Sequence, residues 1–289
     1  MNIPPNKDEI TLSELLLLLR TQIWILVAIT VLAASLSIAY AKLATEWFRA
    51  EVVLIPAEQK NAGLAGSLGA LGGLAGIAGI NLGDNNTTEP VATLKSGEFL
   101  RAFIEDQNLL PVLFANQWDS KAKRWKGSDQ KHWPDVRDGI RYFSKRIQDV
   151  SEDPKTRLVT LTIEWTDAAT AAKWANMLVE RLNSRMRERA LLDAERNVTY
   201  LRQELAKADV LALQESVTRL LENEMQKMMV ARGNTEYSFR VIDSARIPKW
   251  RSSPKRVQVV ILGTAAGGIL AVFLAVLRAR GRASRATTR

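Results

Sequence analysis

The chain has no cysteine and one histidine, His132, among its 289 residues. The first absence excludes a disulfide framework, a thiolate metal site and a cysteine nucleophile. The second leaves too little imidazole for a zinc centre or a histidine-based triad. No Gly-Lys pair occurs anywhere, so a Walker A phosphate loop is missing. The 28 acidic residues between positions 42 and 256 offer many carboxylate pairs, but no local motif singles one out for general acid and base work. No catalytic residue, cofactor or metal ligand is therefore expected, and the chain reads as a non-enzyme.

What the chain does have is 47% hydrophobic residues, much of it in two uncharged runs. TQIWILVAITVLAASLSIAYA fills positions 21–41 and VQVVILGTAAGGILAVFLAVL fills 257–277. Each holds twenty-one residues, enough for a helix across about 30 Å of hydrocarbon. Ala39, Tyr40 and Ala41 would suit a signal-peptide cleavage site, yet the acidic start and the length of the run favour a retained membrane helix. Five arginines and no acid occupy the last twelve residues. Such a tail stays cytoplasmic, so two crossings return the N-terminus to the same side and place the middle outside. The net charge of +9 is thereby a membrane-topology signal rather than a nucleic-acid one. The resulting division is a cytoplasmic segment 1–20, membrane helix 21–41, a periplasmic region 42–256, membrane helix 257–277 and a cytoplasmic tail 278–289.

Within the bilayer, Gly263 and Gly267 are spaced as G-x-x-x-G with Gly268 beside them, and Ala33, Ser37 and Ala41 give the first span a matching row. Small residues let helix backbones approach closely. Packing within one chain and packing between copies both fit. A third uncharged stretch, 61–83, is Gly- and Ala-rich and is expected to be a flexible loop rather than a span.

The middle region reads as α+β. Positions 47–55 and 157–165 show strand composition and alternation, 238–247 is a further strand candidate, and 146–150 a weaker one. Helical patterns lie around 96–108 and 134–146. The base is assigned to 42–166 and 234–256. From Asp167 to Arg232 sixty-six residues pass without glycine or proline, with Asp167 or Thr166 as N-cap and Gly233 as stop. Leu178, Leu182, Met186, Val198, Leu201 and Leu205 mark one narrow apolar stripe. A continuous helix here would run about 99 Å. It would project from the base and pack against copies of itself, or fold back as a hairpin near 207–209. Arginines at 181, 185, 187, 189, 196 and 202 decorate its polar surface, as a solvated face or as a track for an anionic polymer.

Trp118, Trp125 and Trp133 stand among Arg124 and several lysines. They pack a loop onto its base or stack on sugar rings while the cations attract acidic groups.

The order of these features, with EITLSELLLLLR before the first span, WFRAEVVLIPAE after it and EYSFRVIDSARIPKWRSSPKR before the second, resembles the Wzz-type polysaccharide chain-length determinants, the co-polymerases of bacterial inner membranes. Pro248 and Pro254 stand where that family has its proline-rich segment. The resemblance implies a homo-oligomer that sets the modal length of a lipid-linked glycan, usually lipopolysaccharide O-antigen, while a Wzy-type polymerase extends it. Membrane lipid is implied as a further contact, and nucleic acid is not. A kinase domain, carried by a related branch, is not expected. Capsule, exopolysaccharide or common-antigen synthesis, and the adaptor of an export machine, are the alternatives.

Overall fold

The computed structural model describes residues 23–57, 87–127, 129–207 and 209–286. The N-terminal segment 1–20 and the Gly-rich stretch 61–83 lie outside the described residues. In chain order the first elements are helix α1 (Ile23–Leu43), strand β1 (Trp47–Pro56), helices α2 (Thr88–Lys95), α3 (Gly97–Asp106) and α4 (Leu110–Leu113), and short strands β2 (Trp118–Asp119) and β3 (Arg124–Trp125). They are followed by helix α5 (Val136–Tyr142), strands β4 (Gln148–Glu152) and β5 (Val159–Trp165), and helices α6 (Ala168–Lys207) and α7 (Leu211–Gly233). Strands β6 (Phe239–Asp243) and β7 (Arg251–Ser253) lead to helix α8 (Arg256–Ala286). Two compact units result, one from the segments through Trp47 and from Trp250 onward, the other from Phe48–Lys249.

The larger unit is α+β. Its main sheet runs β4-β5-β1-β6 with every neighbour antiparallel. The alternation of β5 resolves as the period of a pleated strand demands, with Val159, Leu161, Ile163 and Trp165 buried. Opposite them, Ala50, Val52 and Leu54 of β1 are buried too, so the two strands share one core face. Helix α3 closes that core with Phe99, Leu100, Phe103 and Ile104, and α6 with Trp174, Leu178 and Leu182. The aromatic rings meet in a chain, Phe103 to Phe143 at 5.8 Å, Phe143 to Trp174 at 5.9 Å and Trp174 to Trp165 at 5.1 Å. The strand expected over 238–247 is shorter, ending at Asp243, because the chain then leaves the sheet for an irregular approach to Trp250.

The stretch 167–232 is two helices rather than one. Asp167 caps the start, its Oδ2 accepting from the Thr170 N–H at 2.8 Å. Helix α6 then runs forty residues, about 60 Å. The break falls where Val210 takes an extended conformation (φ −102°, ψ 126°), and α7 returns along α6. Lack of glycine and proline permits a long helix but does not require one. The apolar stripe gains more by burying against its own downstream half than by standing in water. Leu178, Leu182, Met186 and Val198 are buried, and Leu201 and Leu205 are half-buried. Across the hairpin, Asn197 donates to Glu224 at 3.2 Å and Arg232 to Glu195 at 3.3 Å.

Two asparagines on α6 hold the segment that follows the hairpin. Asn183, 4% exposed, accepts from the Ser238 and Phe239 N–H groups and donates to the Phe239 carbonyl, each at 2.9 Å. Seven residues earlier, Asn176 makes the same reciprocal pair with the Ala245 N–H and carbonyl at 3.0 Å. A side-chain amide matches a peptide group donor for acceptor, so the chain after the hairpin is satisfied without an additional strand.

The smaller unit contains the two apolar helices. Windows Leu26–Leu43 and Arg256–Ala275 are long and apolar enough to cross a membrane. Helix α8 continues to Ala286, past the expected end of the span at 277, so the start of the arginine tail extends the same helix.

Candidate functional site

In the smaller unit, α1 and α8 meet through their small residues. A Cβ at Gly263 would lie 1.9 Å from Ser37 Oγ, and one at Gly267 would lie 2.2 Å from Ala33 Cβ. Both glycines are where the partner helix leaves no volume for a side chain. Gly268 is placed differently, with no atom within 4 Å of a Cβ built there. Ala271 and Ala275 continue the four-residue spacing on α8 and are buried, as is Ala41 on α1. Leu36, Leu262, Ile269 and Phe273 are exposed on the outer surfaces. This partition, small residues inward and large apolar ones outward, is that of helices packed in lipid.

Where the two helices leave the apolar region, Glu46 joins them. It accepts from Arg256 Nη2 at 2.7 Å and from Arg251 Nη1 at 3.1 Å, while Arg256 Nε donates to the Ala41 carbonyl at 3.0 Å. Charge-assisted bonds of this kind are the stronger ones. Sequence reasoning missed Glu46 because its partners lie 205 and 210 positions away. Of the proline-marked segment, Pro254 belongs to this unit and follows a cis peptide bond, whereas Pro248 belongs to the larger unit.

In the larger unit, Trp118 and Trp125 are direct partners across β2 and β3. Their ring centroids are 4.9 Å apart at 71°, an edge-to-face pair. The turn between them is organised by Asp119, whose Oδ1 accepts from the Ala122 N–H at 3.1 Å and the Lys121 N–H at 3.0 Å. Those backbone donors hold the Asp119 carboxyl below its ordinary value, with Arg124 and Lys126 adding to the effect. Trp133 donates its Nε1–H to the Gly127 carbonyl at 3.4 Å. The tryptophans thus organise the hairpin and the loop after it, and Arg124 is exposed opposite Asp119.

Beside this hairpin lies a cleft of about 460 Å³ that the sequence did not single out. Phe114 and Tyr142 line it, rings 5.8 Å apart, together with Arg141, Lys145 and Arg146. Lys145 and Arg146 sit on a π-helical turn, Phe143–Ile147, that continues α5. Sequence reasoning placed 134–146 on a helix; its last part is this π-helical turn, and Lys145 and Arg146 stand at the rim beside Arg141. Two of the α6 arginines fasten it to other helices. Arg181 pairs with Asp106 on α3, Arg189 with Glu89 on α2 at 3.1 Å, and Arg196 approaches Asp193 at 4.0 Å. His132 meets Asp129 at 3.0 Å. Among the described residues no group of three metal-ligating side chains is present.

With this geometry in place, the comparisons with known proteins are specific. A family model described as Wzz, chain length determinant protein, matches residues 8–107. A second, GNVR, described as "G-rich domain on putative tyrosine kinase", matches residues 201–280. Residues 8–107 carry the sequence pattern of the Wzz chain-length determinant family. The two matched stretches contain both apolar helices, β1, the returning arm of the hairpin and β6. Among solved structures, a full-length bacterial polysaccharide co-polymerase is similar at 12% identity, covering 94% of this chain and 98% of its own, with a TM-score of 0.43. A fragment of WzzB, a polysaccharide co-polymerase from Salmonella Typhimurium, is similar at 11% identity, covering 72% of this chain and 100% of its own, with a TM-score of 0.32. Among curated protein sequences none matches. A Wzz chain-length determinant is a regulator of polysaccharide length, and two apolar helices, one near each end, fit a two-span inner-membrane protein.

Proposed function

We propose that this chain sets the modal length of lipopolysaccharide O-antigen, without catalysis of its own, while a Wzy-type polymerase extends the lipid-linked glycan. The observation that carries the reading is the pair of family matches, at 8–107 and 201–280, each containing one of the two apolar helices. Both termini are cytoplasmic and residues 42–256 periplasmic, a topology that rests on the arginine tail. The protein acts as a homo-oligomer that gathers growing chains or polymerases, and the α6/α7 hairpin supplies an arm long enough to reach neighbouring copies. The test is a gel ladder of surface lipopolysaccharide from cells with and without the chain, polymerase intact. A preferred length band that depends on the chain is the expected result. An unchanged ladder with altered capsule or exopolysaccharide length would move the function to that polymer, and no change in any exported glycan would favour an export adaptor.

A further inference from the structure

Between Trp118 and Ile147 there are nine basic residues and four acidic ones, an excess of five. Residues 42–256 as a whole carry 33 basic and 28 acidic residues, again an excess of five. The positive charge of the region between the spans is therefore concentrated in the segment that builds the hairpin and the cleft beside it.

Inside the cleft, two of these cations are uncompensated. Arg141 and Lys145 are four residues apart along one helical segment, so their like charges repel. Neither has a carboxylate partner among the described residues. Among the described residues Asp138 is the one acid lining the cleft, and its Oδ2 is engaged by the Asp135 N–H at 3.2 Å in the capping box that starts α5. Arg137, the nearest other cation on α5, is already paired with Asp135. Lys145 and Arg146 reach the rim from a π-helical turn, a feature frequent at functional sites.

The remaining lining is aromatic and polar. Phe114 and Tyr142 offer apolar ring surface, and Gln117 offers an amide donor and acceptor. The basic hairpin is fixed to this rim, since the Lys126 N–H donates to the Gln117 carbonyl at 2.8 Å. At about 460 Å³ the cleft falls in the size range of small-ligand sites, roughly 300 to 1,000 Å³.

We infer that this cleft binds an acidic saccharide unit. The carboxylate of a uronic acid residue sits between Arg141 and Lys145, one apolar face of the sugar ring lies on Phe114 and Tyr142, and ring hydroxyls bond Gln117. The choice of a saccharide over other anions rests on the chain-length reading; the need for an anionic ligand with an apolar face rests on the cleft alone.

The test uses the full-length chain in detergent micelles and titration calorimetry with three probes: tetragalacturonate, maltotetraose and inorganic phosphate. Tetragalacturonate should bind at least about tenfold more tightly than maltotetraose and should weaken as salt rises. The double variant Arg141→Ala, Lys145→Ala should lose about tenfold in that affinity with an unchanged melting temperature, because both side chains are exposed. Equal binding of the neutral sugar, or displacement of tetragalacturonate by equimolar phosphate, would overturn the inference, as would a double variant that binds normally. The glycan ladder distinguishes the two claims: length control without acidic-sugar binding removes the cleft alone, and binding without length control removes the proposed function alone.

Discussion

Single side chains carry unequal weight in this protein, and burial decides which matter. Asn183 satisfies three backbone groups of the segment after the hairpin from a site that is 4% exposed. Asn183→Ala leaves these groups without partners, and the full chain should lose at least about 2 kcal/mol in urea unfolding. Asn176→Ala removes a similar but only part-buried pair, from an exposed asparagine, and should cost less than Asn183→Ala. Equal costs would contradict the burial argument. Asp167 gives a pH dependence of known sign. The Thr170 side chain and backbone N–H hold its carboxyl below the ordinary 3.8, so the folded state favours the ionised form. Its contribution to α6 is complete above the unfolded value and is lost as pH falls through the lower folded one. Asp167→Asn should therefore flatten the acid limb of the stability curve, and an unchanged limb would show that the cap does not report in that range.

At the scale of elements, the helix pair α1/α8 makes a sharp distinction between adjacent glycines. Gly263→Leu and Gly267→Leu insert side chains where Ser37 and Ala33 already stand, whereas a Cβ at Gly268 meets no atom within 4 Å in this chain. The first two should lower the melting temperature of the detergent-solubilised protein, by an overpacking cost of about 1–3 kcal/mol, and the third should leave it unchanged. A Gly268→Leu that instead dissolves an oligomer would assign that glycine to contacts between copies. The four-residue spacing of small residues makes this contact legible in the sequence, as the period-2 alternation of 157–165 makes β5 legible. The fold-back of 167–232 is legible only as one of two options. Periodicity shows that a stripe must be covered and not by what, and Val210, extended at the start of α7, is an ordinary β-branched residue with no turn signature. The cleft escapes the sequence because its lining joins separated segments, Phe114 and Gln117 with residues 132–146, which no local pattern links. Glu46 escapes it because an ion pair across more than two hundred residues leaves no local pattern.

For the whole molecule, composition alone narrows the function. One histidine and no cysteine remove several enzyme classes, and two uncharged runs replace a nucleic-acid interpretation of the +9 charge with a membrane one. The family matches agree with that organisation, reaching both apolar helices and the returning arm. On the proposed function the regulator acts by holding things in place, with two apolar helices as its anchor, a base that brings strands from both sides of the hairpin into one sheet, and the hairpin as its arm. The measurement that tests this account most directly is the length distribution of surface glycan when the chain is supplied to cells that have a polymerase and lack any other length regulator. A modal band, absent without the polymerase and absent without the chain, is the predicted result. A distribution that falls smoothly with length whether or not the chain is present would contradict the account.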